Sequence, residues 1–277
     1  MKIGFVTDST ADIPAEAAAQ LGIQVIPALV NIHGKSYADG TEITREEFYT
    51  RLPEIIPPPM TSSPSVGAFQ QCYEKLLKAG MDFVISIHPP NELSGIFNAA
   101  RLAAQEFGQR VKVVDSGQLS LGLGFQVISA AEAASGGAIL EDVLARVESI
   151  RQRVRVVALL DSIEYVRRSG RVSWAIAMIG GVLRLQPLIE LRYGLVHRIG
   201  QARTRLQGIE RLVDTLNSWG PLESLAVLHT NAESAALQIF DEDKAKVSHA
   251  PFLVNVTTAI GTHVGPNALG FAAVPVF

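Results

Sequence analysis

Cysteine is almost absent. Cys72 is the only one in 277 residues, which excludes an internal disulfide and any cysteine-built metal cluster. It falls on the apolar side of a helical pattern and reads as inert core. Charge is also scarce, at 18% of residues against 48% hydrophobic, a balance that excludes a disordered chain. Long apolar runs are missing. The longest, residues 174–183, is too short to cross a bilayer, and Asp8 interrupts the N-terminus too early for a signal peptide. A cytoplasmic protein without stable membrane insertion is the expectation. Recognisable cofactor chemistry is absent as well. No phosphate loop ends in Gly-Lys-Ser/Thr, Gly122-Leu123-Gly124 lacks dinucleotide-loop spacing, and the six histidines are scattered with no His-Glu-x-x-His pattern. No cofactor and no metal are expected.

What is present divides the chain in two. Up to about residue 155, short apolar strands alternate with helices: strands at 2–7, 23–32, 82–87 and 111–114, with a helix opened by Asp12 after the first. This is the pattern of an α/β domain with a parallel sheet. A small hairpin turns at His33-Gly34. Residues 156–277 have another grain. Strands at 185–191 and 195–199 are joined by Tyr193-Gly194, so this half is an α+β domain with a mixed sheet. Between Arg151 and Arg211 lie twelve arginines and four acids, although the chain as a whole carries a net charge of −3. Arginine forks bind phosphate and carboxylate, so this half is expected to present a basic face; scattered surface ion pairs are the alternative. The overall charge gives no expectation of nucleic acid as a partner.

The polar clusters fall where ligands bind in open α/β sheets, beyond the carboxyl ends of the strands. Asp8-Ser9, His88 to Ser94 and Asp115-Ser116 each follow a strand. Thr61-Ser62-Ser63-Pro64-Ser65 follows a proline run, with Ser63 read as a helix cap and Pro64 as the first helical residue. Thr61 and Ser62 then sit just outside a helix N-terminus, where an anion is favoured. His263 is read in a glycine-punctuated loop that lets backbone approach a ligand. Ser94, His263 and Asp115 offer the residue types of a hydrolase triad, but Leu93-Ser94-Gly95 is no Gly-x-Ser-x-Gly elbow. An esterase using Ser94, or a regulatory anion or nucleic-acid binder acting through the arginines, remain alternatives to a hydroxyl-lined anion site.

Six segments, in this order, resemble the signatures of the DegV family: Thr7-Asp8-Ser9-Thr10-Ala11-Asp12-Ile13-Pro14, Thr61-Ser62-Ser63-Pro64-Ser65, Leu93-Ser94-Gly95, Val114-Asp115-Ser116, Glu164-Tyr165-x-x-x-Ser169-Gly170-Arg171-Val172 and His263-Val264-Gly265-Pro266-Asn267-Ala268-Leu269-Gly270. The resemblance implies a two-domain DegV-like fold that buries a long fatty acid. It also implies a non-enzymatic, lipid-binding protein that presents the acyl carboxylate to an ATP-dependent fatty acid kinase. Thr61, Ser62, Ser94 and His263 would then hold the carboxylate, while Arg171 and Arg203 would face the kinase or the transferring phosphate. A fatty acid needs an apolar tunnel, and residues 172–183, with Trp174, Ile176, Met178, Ile179 and paired glycines, offer a lining for one, with ordinary core packing as the alternative. Two departures stand out: His88-Pro89-Pro90 where the family has a small, serine-rich segment, and Asn267 where it has glycine.

Overall fold

The computed structural model describes residues 1–173, 175, 185–243, 247 and 249–276. Of the tunnel segment suggested at 172–183, only Val172, Ser173 and Ala175 are among the described residues. The first strand, β1 (Ile3–Asp8), is buried along nearly its whole length, as a parallel strand covered on both faces must be. It pairs in parallel with β2 (Ile23–Ile26) and with β6 (Phe83–His88), which in turn pairs in parallel with β7 (Val111–Asp115). The order is β2-β1-β6-β7.

The extended segment at 23–32 is in fact two strands in different sheets. β3 (Leu29–Ile32), β4 (Lys35–Ala38) and β5 (Met60–Ser62) make a separate antiparallel sheet in the order β4-β3-β5. His33 and Gly34, both at positive φ, turn the β3–β4 hairpin as expected. In the second half, β8 (Arg155–Leu159), β9 (Gln186–Arg192), β10 (Leu195–Ala202), β11 (Leu222–His229), β12 (Phe252–Asn255) and β13 (Leu269–Pro275) form a mixed sheet, ordered β10-β9-β8-β13-β11-β12. Only β11 and β12 are parallel neighbours within it.

Helices fill the space around and between the two large sheets. In chain order they are α1 (Ala15–Gln20), α2 (Arg45–Arg51), α3 (Val66–Lys78), α4 (Ile96–Ala104), α5 (Leu121–Ser135), α6 (Leu140–Arg153), α7 (Glu164–Ser169), α8 (Arg205–Asn217), α9 (Glu233–Asp243) and α10 (Thr258–Val264). The outer face of the parallel sheet packs Val6 and Val84 against Phe69, Tyr73, Ala100 and Ala103 of α3 and α4. The outer face of the mixed sheet packs Val157 and Phe271 against Leu212, Leu216 and Ile239 of α8 and α9. Between the sheets lie α5 and α6, in one apolar cluster with Phe5 and Ile85 on one side and Ala272 and Val274 on the other. The two halves thus share their largest core. Residues 121–131 of α5 are all buried, so the helix is apolar all round instead of striped. Gly122 is required there: a Cβ on it would lie 2.4 Å from Val156 Cγ2. The Gly122-Leu123-Gly124 run is a packing device between sheets.

Three local expectations are corrected. Ser65, not Ser63, caps α3: its hydroxyl accepts from Ala68 N–H at 3.2 Å, and the helix starts at Val66. Thr61 and Ser62 are instead drawn into β5 by pairing with Val30 and Leu29. Asp12 does not open a helix; it takes a left-handed φ of 55° at the end of a 3-10 turn, and α1 begins after Pro14. The loop assigned to His263 is largely helix, because Thr257 caps α10 by accepting from Ala259 N–H at 3.0 Å.

Candidate functional site

Strand alternation separates the two hydroxyls of β5. Ser62 Oγ accepts from Asn31 Nδ2 at 3.2 Å, whereas Thr61 Oγ1 lies 2.9 Å from His263 Nε2. His263 comes from the last turn of α10, which packs on β3 and β5. Ser94 follows β6. Its amide donates to Pro90 O at 3.0 Å, and its Oγ accepts from Ile96 N–H at 3.3 Å, where α4 begins. With that lone pair used, the Ser94 O–H proton is left to donate outward.

The electrostatics of this cluster come from one imidazole and one guanidinium. Burial first, and the Arg171 charge second, push the His263 imidazole down to about 3, so it is neutral at physiological pH. In the tautomer with its proton on Nε2 the ring donates to Thr61 Oγ1 and leaves the Thr61 O–H proton free to face the cavity; in the other, Thr61 donates to the ring. Arg171 sits at the rim. Its Nε donates to Leu93 O at 2.9 Å and its Nη1 to Ser169 O at 3.1 Å. Burial lowers its affinity for its proton, but the group is still a guanidinium, held by carbonyls beside the two hydroxyls.

Thr61, Ser62, Ser94, His263 and Arg171 all line one cavity of about 840 Å³, counted out to its open mouth. Its other walls are largely apolar, among them Leu93, Val172 and Ile260. Ser63, read from the sequence only as a cap, lines it too; a Cβ on Gly95 would lie 3.1 Å from its Oγ. A second chamber, about 660 Å³ by the same measure, shares Leu119, Ile189, Val196, Ile260 and Val264 with the first. Its walls, including Val156, Leu160, Leu191 and Val256, are almost wholly apolar. The two cavities adjoin across these shared walls, with hydroxyls and one guanidinium on one side and an apolar space under the mixed sheet on the other. Arg203 is not part of these walls. It is exposed just before α8, with its amide donating to Gln207 Oε1 at 3.2 Å.

The basic half is partly neutralised. Glu164 is held below the usual carboxylate range by hydrogen bonds from Arg167 and Arg168, and Glu223 receives Arg146 and Arg153.

The residues of a hydrolase triad do not assemble. His263 bonds Thr61, and Asp115 spends its carboxylate on the amides of Asn91 and Gly117, at 3.0 and 2.8 Å. Among the described residues no group of three or more acids, histidines or cysteines is arranged to hold a metal, and no helix is long and apolar enough to cross a membrane.

Both departures have a structural place. Asn267 adopts φ 61°, a left-handed conformation that asparagine tolerates better than most residues. His88 is the end of β6 and wholly buried. Its Nδ1 lies 2.7 Å from Asp8 Oδ2, and its Nε2 lies 2.6 Å from Ser86 Oγ, which meets Tyr73 OH at 2.8 Å. Asp8 also accepts from the amide and hydroxyl of Thr10, a wall residue of the head cavity.

This arrangement has relatives. The model of a family described as uncharacterised, the DegV family, matches residues 2–276. Protein DegV of Bacillus subtilis is 35% identical over 277 residues, covering 98% of each chain. A solved structure from Thermus thermophilus, described as fatty acid binding by a DegV family protein, is 34% identical with a TM-score of 0.91 over the full length of both chains. The crystal structure of B. subtilis DegV, described as a fatty acid binding protein, is 32% identical with a TM-score of 0.87, again over both full lengths. With the family model matched almost end to end and a relative 35% identical over 98% of each chain, the chain belongs to the DegV family.

Proposed function

We propose that this protein binds a long-chain fatty acid, with its carboxylate at Thr61, Ser94 and His263 and its tail in the apolar chamber behind them. The observation that carries the reading is that a cavity lined with hydroxyl donors adjoins an almost wholly apolar one, with five wall residues in common. Relatives described as fatty-acid-binding proteins support it. Each buried methylene contributes about 0.8 kcal/mol, so ten contribute about 8 kcal/mol, which lies within the roughly 4–15 kcal/mol cost of association. Ser62 stands at the outer edge of the head site through its bond to Asn31. We place the boundary between the head-group domain, 1–155, and the arginine-rich domain, 156–277, at the α6–β8 junction.

The bound acid is presented to an ATP-dependent kinase. A carboxylate oxygen attacks the γ-phosphorus, the bond to the β-phosphate oxygen breaks, and ADP and an acyl phosphate form. Arg171, at the mouth, faces the incoming phosphoryl group, and the exposed Arg203 contacts the partner. The chain itself is not the enzyme in this reading, and its place is the cytoplasm. Mass spectrometry of lipid extracted from purified protein is expected to give fatty acid in near-stoichiometric amount. Protein that carries none and binds no added palmitate or oleate contradicts the proposal.

A further inference from the structure

His263 reaches the head-group cavity from the second half of the chain, on a helix of seven residues. Such a helix is too short to hold itself in place, and its seat is made by the first half. Asp39 Oδ1 accepts from both the amide and the hydroxyl of Thr258, at 2.9 and 2.6 Å. Asp12 Oδ1 accepts from the amide of Thr257 at 2.8 Å, and Asp12 Oδ2 accepts from Ser120 Oγ at 2.6 Å. Arg45 Nη2 stands 3.3 Å from Asp12 Oδ1. Tyr49 OH lies 2.9 and 3.2 Å from the carbonyls of Val256 and Thr257. A Cβ on Gly261 would fall 2.1 Å from that same hydroxyl, so the helix lies directly on the Tyr49 ring.

The arrangement is costly in itself. Asp12 and Asp39 are both nearly inaccessible to solvent. Asp39 Oδ2 is buried with no hydrogen-bond partner, an unfavourable state for a carboxylate oxygen. The two acids are also close enough that Asp39 is among the causes that raise Asp12. Neither acid lines the cavities that contain the head group and tail. What they do contact is the N-terminal end of the helix whose last turn carries His263.

We infer that Asp39, with Asp12, is a positioning residue for the head-group site: it fixes α10 against the first half of the chain so that His263 Nε2 meets Thr61. The inference deepens the fatty-acid reading and rests on it for its ligand arm, but its geometric arm is read without any ligand.

The test uses full-length Asp39→Ala, Asp39→Asn, His263→Ala and Asp39→Ala/His263→Ala. In ligand-free protein, the ring ¹⁵N resonances of His263 report its bond to Thr61. They are expected to shift in Asp39→Ala and to return toward wild type in Asp39→Asn, whose amide oxygen still accepts from Thr258. In binding assays, palmitate is compared with hexadecanol, which has the same chain without the carboxylate. Asp39→Ala is expected to lower the preference for palmitate about tenfold, and the double variant to show no further loss beyond His263→Ala. Unmoved His263 resonances, equal losses for palmitate and hexadecanol, or losses that multiply in the double variant each overturn the inference. Should Asp39→Ala not fold, Thr258→Val against Thr258→Ser removes one bond of the same seat and is read in the same way. A wild type that ignores palmitate defeats the fatty-acid reading while leaving the resonance arm intact.

Discussion

Thr61 and His263 are 202 residues apart in sequence and 2.9 Å apart at their polar atoms. There, and where Arg171 Nε donates to Leu93 O, the two halves of the chain meet across the candidate cavity. Replacing Thr61 by alanine removes a donor to an anion, a bond worth about 1.5–3 kcal/mol. Calorimetric titration with palmitate is expected to show at least a tenfold loss of affinity in a variant that remains folded. The imidazole itself makes a pH prediction. Held at about 3 when folded against an ordinary 6.5, His263 binds its proton more readily in the unfolded chain. Its contribution is therefore complete above pH 6.5 and lost as pH falls toward 3, by about 1.4 kcal/mol per unit. Asp12 has the opposite sign: raised from 3.8 to about 6 by burial, it favours the fold at low pH and its contribution fades as pH rises through 6. Acidification from pH 6 to 4 sets the two against each other. His263→Gln separates them: the stability difference between wild type and variant, from urea unfolding, is expected to shrink as pH drops below 6.5. A difference constant with pH contradicts the assignment.

At the scale of elements, His88 ties the ends of β1 and β6 together through Asp8. His88→Ser, which brings the segment closer to the family's serine-rich pattern, leaves a buried carboxylate short of a partner. A loss of about 3–5 kcal/mol in unfolding free energy is expected; a loss under 1 kcal/mol means that Asp8 finds other donors. What the sequence made legible follows from which elements depend on local signals. Fully buried strands such as β1 and β6 stand out as short apolar runs between polar ends. The hairpins at His33-Gly34 and Tyr193-Gly194 show in their turn residues. β5 was not legible, because three residues become a strand only through pairing with β3. Nor was α10: its glycines read as loop, while its seat comes from Asp12 and Asp39, more than 200 residues away. Among the proposed site residues, Thr61, Ser94 and His263 are readable from chemistry and resemblance, and all three line one cavity. Ser63 reads as a cap in the sequence, and the Asp8–His88 pair carries no local signal because its members are separated by 80 residues.

Over the whole molecule, two large sheets enclose a shared helical layer, and the candidate cavity opens where the halves meet. A ligand that bridges both halves stabilises the folded state by mass action, about 2.7 kcal/mol at a free concentration a hundredfold above Kd. Delipidated protein is accordingly expected to melt several degrees lower than protein saturated with palmitate, and calorimetric scans that coincide would speak against binding to the folded state. The central claim is one of placement, and a crystal structure of the palmitate complex tests it most directly. The account predicts the carboxylate within hydrogen-bonding distance of the Thr61 and Ser94 hydroxyls, and the chain passing Ile260 into the chamber lined by Val156 and Leu191. A carboxylate bound elsewhere, or a tail lying outside that chamber, contradicts it.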